Sequence, residues 1–164
     1  MFSLPETESP TSLRTSAPLA DDDALTQVTA APFRAHVALL AGQCAVPLLA
    51  VAAAAGVPYA VVEALFTPDP PPTIARRWAR KLLDADQATI LRLHRSPGDP
   101  AELATCLRQL ASLGWTFTDM VGHLGISRCY VERVLSGARP RCTALLVMMG
   151  RAASPAWLPA DAPR

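Results

Sequence analysis

A repeat at a fixed offset constrains this chain more than any other feature. Sliding the sequence by 69 residues lays residues 44–66 on residues 113–135 without a gap. Gly56 falls on Gly125, Val57 on Ile126, Val62 on Val131, Glu63 on Glu132 and Leu65 on Val134. Each segment is followed by a Pro-containing turn and another expected helical run, residues 73–83 and 142–152. Self-similarity of this kind means two copies of one supersecondary unit, packed or tethered together. A chain of 164 residues built this way has no room for a large catalytic barrel.

The second copy reads as helix, turn, helix. Residues 101–113 form a leading helix, with Asp99 as N-cap, Pro100 in the first helical position and Leu103, Leu107 and Leu110 facing inward. Thr116 with Asp119 three residues on makes a capping box. Phe117, Met120, Val121 and Leu124 then recur at helical spacing as an apolar face. Gly125 permits the left-handed backbone that ends this helix, Ile126 plugs the turn and Ser127 caps the next helix. Val131, Val134 and Leu135 line that helix's inner side, Gly137 terminates it and Pro140 separates it from the closing helix. Gly122 inside the first of these helices costs up to ~1 kcal/mol relative to Ala.

The run Leu113-Gly-Trp-Thr-Phe-Thr-Asp-Met-Val-Gly-His-Leu-Gly-Ile-Ser-Arg-Cys-Tyr-Val-Glu-Arg-Val-Leu-Ser-Gly137 resembles the helix-turn-helix of actinobacterial and actinophage DNA-binding proteins, which often carry two such units in tandem. The resemblance covers roughly residues 33–153 and is carried chiefly by Leu124-Gly125-Ile126-Ser127-Arg128. It implies an all-α fold of two tandem helix-turn-helix units, of three to four helices each, between disordered tails. The expected division is an acidic tail over residues 1–30, a degenerate first unit over 31–95, a second unit over 96–153 and a Pro-rich tail over 154–164. It also implies a sequence-specific, repressor-like regulator whose partner is double-stranded DNA, cytoplasmic and nucleoid-associated.

In such a motif the second helix enters the major groove with its N-terminal residues on base edges. Those positions hold Ser127, Arg128, Cys129 and Glu132, with Arg133 a turn further on. Arg128 has the fork for guanine, and Glu132 can either accept from a cytosine amino group or serve as a solvated or structural charge. Arg133, Arg139 and Arg141 suit phosphates, and Thr116 and Thr118 can add backbone contacts. In the first copy the equivalent helix, residues 58–66, has almost nothing to donate to a base or a phosphate. Its basic residues stand instead at Arg76, Arg77, Arg80 and Lys81, a stripe that tracks phosphates or is merely solvated, with Ile74 and Trp78 pointing the other way.

Charge is distributed accordingly. The net +1 conceals −4 over residues 1–30, +1 over 31–103, +4 over 104–153 and zero over the last eleven. The rival to a DNA reader is a protein-interaction or homodimerisation module on the same fold, using Ala60, Val61, Ala64 and Phe66. Strong DNA binders of this size are often more basic.

Other classes find little support. Residues 37–62 carry no charge and are long enough to span a bilayer. Pro47, Pro58, Gly42, Gly56, Gln43 and a bulk of Ala argue against insertion, as does the match of this segment to a soluble-looking copy. Cys44, Cys106, Cys129 and Cys142 have no CxxC pair and no secretory signal ahead of them, so reduced thiols are expected. A zinc site from His123, Cys129, Cys142 and Cys106 is disfavoured, because the other copy has Ala54, Ala60, Thr73 and Val37 there. No phosphate loop, carboxylate pair or nucleophile–His frame is legible, so neither enzyme, cofactor, metal nor small-molecule ligand is expected.

Local expectations remain. His123 should be a solvated side chain, residues 84–95 one helix with Ile90, Leu91 and Leu93 partly apolar, and residues 96–100 a plain turn at the unit boundary. Trp78 should be core, residues 1–20 disordered, Asp21-Asp22-Asp23 a cap or tail, and Trp157 a docking point for a loose C-terminus.

Overall fold

The computed structural model of the chain describes residues 26–155. The protein is mostly helical, as expected, with one small sheet in addition. A short strand β1 (Gln27–Thr29) leads into α1 (Ala31–Cys44), α2 (Leu48–Ala55) and α3 (Tyr59–Ala64). Strand β2 (Thr73–Ala75) follows, then α4 (Arg76–Asp84) and α5 (Gln87–Arg95). The second half holds α6 (Pro100–Ser112), α7 (Phe117–Leu124), α8 (Arg128–Leu135) and α9 (Ala144–Ala152).

The 69-residue offset survives in the backbone. In β1 and β2, Val28 faces Ile74 in an antiparallel pair; their counterparts Pro97 and Thr143 form an isolated antiparallel bridge. Gly98 N donates to Cys142 O and Ala144 N to Ser96 O, each at 2.9 Å, on either side of that bridge. Both bonds are made by residues flanking the Pro97–Thr143 pair, so the missing proline N–H costs the bridge nothing; the ladder goes no further on that side because Ser96 N donates to Arg92 O at 3.0 Å at the end of α5.

The helix ends match as well. Val46 N donates to Ala41 O and Trp115 N to Leu110 O, both at 3.1 Å, closing α1 and α6 with the same reverse bond. The left-handed residue at each end is Ala45 (φ 51°) in one copy and Gly114 (φ 94°) in the other. Gly56 and Gly125 end α2 and α7 at the same φ of 65°.

The copies differ in how they are buried. Helix α2 is enclosed on every side, with Leu49, Ala50, Val51, Ala52 and Ala53 all buried. Its alanines let α9, its most extensive neighbour, pack closely, and α1, α3, α4, α5 and α7 also touch it. At the counterparts of Leu49, Ala50 and Ala53, α7 carries Thr118, Asp119 and Gly122, none of them buried. Conversely, Leu145, Leu146 and Met149 of α9 line the seam with α2, and the same offset puts Arg76, Arg77 and Arg80 on α4. The face that joins the copies is thus apolar in the middle of the array and polar or charged at its two ends, as terminal units of a stacked repeat require. One hydrophobic cluster runs through both copies, from Val37, Leu49 and Leu82 to Leu103, Leu107, Val131 and Met149.

Several local expectations are corrected. Residues 26–30 belong to the fold rather than to a tail, because Val28 pairs with Ile74 and Ala30 N donates to Pro72 O at 2.9 Å. Residues 73–75 are strand, and the helix starts only at Arg76; likewise Thr143 caps α9 and the helix starts at Ala144. The expected helix over 84–95 is broken at Ala85, which is buried. Asp86 then caps α5 by accepting from Thr89 N at 2.7 Å, leaving Ile90 buried and Leu91 exposed. Residues 96–100 are no plain turn: Pro97 bridges to Thr143, and Gly98 lies so close to the Thr143 carbonyl that a Cβ would collide. Trp78 is core, with the Arg77 guanidinium 4.5 Å over its ring. The expectations for residues 1–20, Asp21-Asp22-Asp23 and Trp157 lie outside the described residues.

No single helix among the described residues is long and apolar enough to cross a membrane. The uncharged stretch is bent by 110° between α1 and α2, and the apolarity of α2 is accounted for by its burial inside the protein.

Candidate nucleic-acid interface

The site is built on α7 and α8, whose geometry is fixed locally by caps. Thr116 Oγ1 accepts from Asp119 N at 3.2 Å while Thr116 N donates to Asp119 Oδ2 at 2.7 Å. These bonds from Thr116 hold the Asp119 carboxyl below the usual carboxylate range. After Gly125 and the half-buried Ile126, Ser127 caps α8 by accepting from Tyr130 N at 3.2 Å. The first copy has Pro47 and Pro58 in these two cap positions, with no side-chain bond in either.

Val131 and Val134 hold the inner face of α8 in the core. Its outer face carries Ser127, Arg128, Cys129, Glu132 and Arg133, all exposed. The Tyr130 hydroxyl donates to Arg141 O at 2.7 Å, tying the segment after α8 back onto the helix. Arg139 and Arg141 are exposed beside it, as are Thr116 and Thr118 at the start of α7. Nine of the residues singled out from sequence, from Thr116 to Arg141, therefore sit at accessible positions on or beside α7 and α8. The other three, Arg76, Arg77 and Arg80, are exposed on α4 in the first copy.

Two side chains depart from expectation. Phe117 is 39% exposed rather than inward: the Arg128 guanidinium lies over its ring at 5.5 Å. Arg128 Nε also donates to Glu132 Oε1 at 2.9 Å, so Glu132 is already engaged. His123 is half-buried rather than solvated. Its Nδ1 lies 3.0 Å from the Tyr59 hydroxyl, and its ring packs against Trp115 at 5.1 Å. Its counterpart Ala54 gave no hint of this; the available signal was Tyr59 and Trp115, two aromatic residues beside turns in opposite copies.

A half-open cleft of about 280 Å³ lies at the seam, between Val46, Pro47 and Ala50, the turn at Leu124-Gly125-Ile126, and Leu145, Leu146 and Met149. Among the described residues no group of three His, Cys, Asp or Glu is placed to hold a metal ion. Burial pushes the Cys106 and Cys142 thiols up, while Cys129 is exposed on α8. Comparison with protein-family models, with curated proteins and with solved structures finds no match to this chain.

Proposed function

We propose that the protein is a sequence-specific DNA-binding regulator of repressor-like type, in which α7 and α8 form a helix-turn-helix and α8 enters the major groove. The observation that carries this reading is the contrast between the copies. At the positions of Ser127, Arg128, Cys129 and Arg133, the first copy has Pro58, Tyr59, Ala60 and Ala64. Both helices bury the same inner valines, Val62 and Val131, but only α8 has an outer face with donors for bases and phosphates. Arg128 and Ser127 stand where base edges are read; Arg133, Arg139 and Arg141 flank them as phosphate partners; Thr118 contacts the backbone from the start of α7, where the N–H and hydroxyl of Thr116 are both donated to Asp119 Oδ2.

The first copy is a degenerate helix-turn-helix that supports the second. The stripe at Arg76, Arg77 and Arg80 has a structural reason in ending the stacked array, so its contribution to DNA is secondary. A single reading unit gives a small interface, and a homodimer on two half-sites supplies the rest.

The test is selection from random duplexes with the full chain, read at low and moderate salt for wild type and Arg128→Ala. Enrichment of a motif that weakens steeply with salt and loses one base preference in the variant is expected. Absence of any binding at low salt would overturn the reading. It would favour a protein-interaction module on the same fold, for which exposed Ala60 and Phe66 on and after α3 are the candidate surface.

A further inference from the structure

Glu132 has two chemical uses on a groove-facing helix: it accepts from a base itself, or it acts on another side chain. The geometry points to the second. We infer that Glu132 and Phe117 are positioning residues that hold the Arg128 guanidinium with its terminal edge presented to a guanine; this deepens, and rests on, the DNA-reading proposal above.

An arginine fork has two edges that can make paired hydrogen bonds: the side containing Nε and the end formed by the two terminal nitrogens. Arg128 Nε is taken by Glu132 Oε1 at 2.9 Å, one helical turn along α8. The terminal nitrogens have no partner among the described residues, so the end-on edge is the one left for the O6 and N7 acceptors of guanine. The second restraint comes from another helix. Phe117, the first residue of α7, lies under the guanidinium at 5.5 Å. An aromatic face attracts a cation there, which gives an otherwise exposed phenylalanine a role. The Thr116–Asp119 capping box fixes the backbone from which Phe117 projects.

The first copy is an internal control. It retains the acid, Glu63, but has Tyr59 in place of Arg128 and Leu48 in place of Phe117. The acid therefore does not by itself mark a base-reading position, whereas ring, arginine and acid occur together only where the outer helix face is polar. A free arginine loses side-chain entropy when it meets a base, and one already held loses less.

The experiment has two readouts on the full chain. The first needs no DNA: ¹⁵N relaxation and proton exchange at Arg128 Nε, for wild type, Glu132→Ala, Glu132→Gln and Phe117→Leu. Slow exchange and restricted motion in wild type, lost in Glu132→Ala and largely kept in Glu132→Gln, are expected. An Arg128 Nε as mobile as the other surface arginines would overturn the positioning claim. The second readout uses the selected duplex and its single-pair variants at the base pair whose preference disappears in Arg128→Ala. Glu132→Ala should lower discrimination at that pair by about five- to tenfold, with the salt dependence unchanged and Glu132→Gln restoring most of it. Loss of preference at a different pair would show Glu132 reading a base and overturn the proposal. A held Arg128 with no duplex selected would instead sink the DNA reading, and with it the purpose assigned here to Glu132.

Discussion

The Tyr59 hydroxyl lies 3.0 Å from His123 Nδ1, and this contact joins the start of α3 in one copy to the end of α7 in the other. The Tyr59 and His123 rings meet edge to face at 5.5 Å, and the Trp115 ring lies tilted against the imidazole at 5.1 Å. Burial, followed by the nearby Glu63 charge, raises the Tyr59 phenol above its ordinary value, so the hydroxyl stays protonated and able to donate. Tyr59→Phe should cost about 1 kcal/mol, the usual net worth of such a bond. His123→Ala should cost more, because the Trp115 ring loses its cover as well. A double-mutant cycle by urea denaturation should give a coupling of about 0.5–1.5 kcal/mol. Strict additivity would mean that the contact contributes nothing.

Ala45 is the non-glycine residue with positive φ among those described, at 51°, and its counterpart Gly114 shows what the position asks for. A left-handed alanine costs roughly 1 kcal/mol more than glycine, because its Cβ crowds the following carbonyl. Ala45→Gly should therefore leave stability unchanged or raise it by up to ~1 kcal/mol, the gain reduced by the extra freedom of glycine in the unfolded chain. Gly114→Ala should destabilise by about 1 kcal/mol or more at φ 94°, although nothing lies within 4 Å of its added Cβ. Melting both variants against wild type checks the pair, and the opposite order of stabilities would contradict it.

Much of this fold was legible because the chain states its local rules twice. Gly125, Ser127 and Asp99 act at the helix ends where their chemistry placed them, and Leu103, Leu107 and Leu110 are fully buried. The repeat itself misled where the copies have different neighbours. Ala54 made His123 look dispensable, yet the histidine meets a tyrosine from the other copy. Phe117 looked inward from its spacing, but periodicity cannot separate a core face from the site of a cation on the next helix. The break at Ala85 was missed because Asp86 as a cap competes with a nearly continuous helical pattern. In the candidate interface, the residue types and their exposure followed from sequence. The pairing of Arg128 with Glu132 did not, since spacing permits such a bond without requiring it.

Gly122 sits inside α7, exposed, and an added Cβ there meets nothing within 4 Å. Glycine in a helix interior is less favourable than alanine by about 0.8–1 kcal/mol, mostly through backbone entropy. Its counterpart Ala53 is buried where α2 crosses the core, so the same position is served by alanine in the other copy. Gly122→Ala should raise stability by about 0.5–1 kcal/mol, seen as a higher urea midpoint with an unchanged slope. In the DNA-reading proposal the outer face of α7 near Gly122 contacts no base, so the selected motif should be the same. A destabilised variant would mean that α7 needs flexibility or close approach at this point.

Tyr130 links α8 to the segment that carries Arg141, and its phenol is pushed up to about 12, first by burial and then by the neighbouring Cys142 thiol, against a small opposing effect of Arg133. The unfolded chain releases this proton near the ordinary value of 10.0, before the folded one does. The unfolded state therefore gains between those two values, and the stability contributed by Tyr130 is complete below pH 10, declines as pH rises toward about 12 and is gone above it. Burial raises the Cys106 and Cys142 thiols too, so overall alkaline destabilisation has the same sign and begins lower. The comparison that isolates the phenol is Tyr130→Phe, which cannot ionise and lacks the bond to Arg141 O. Wild type should be the more stable protein at about pH 8, and its advantage should shrink steadily through the alkaline window. An advantage that stayed constant with pH would show that the Tyr130 proton is released equally easily in the folded and unfolded chain.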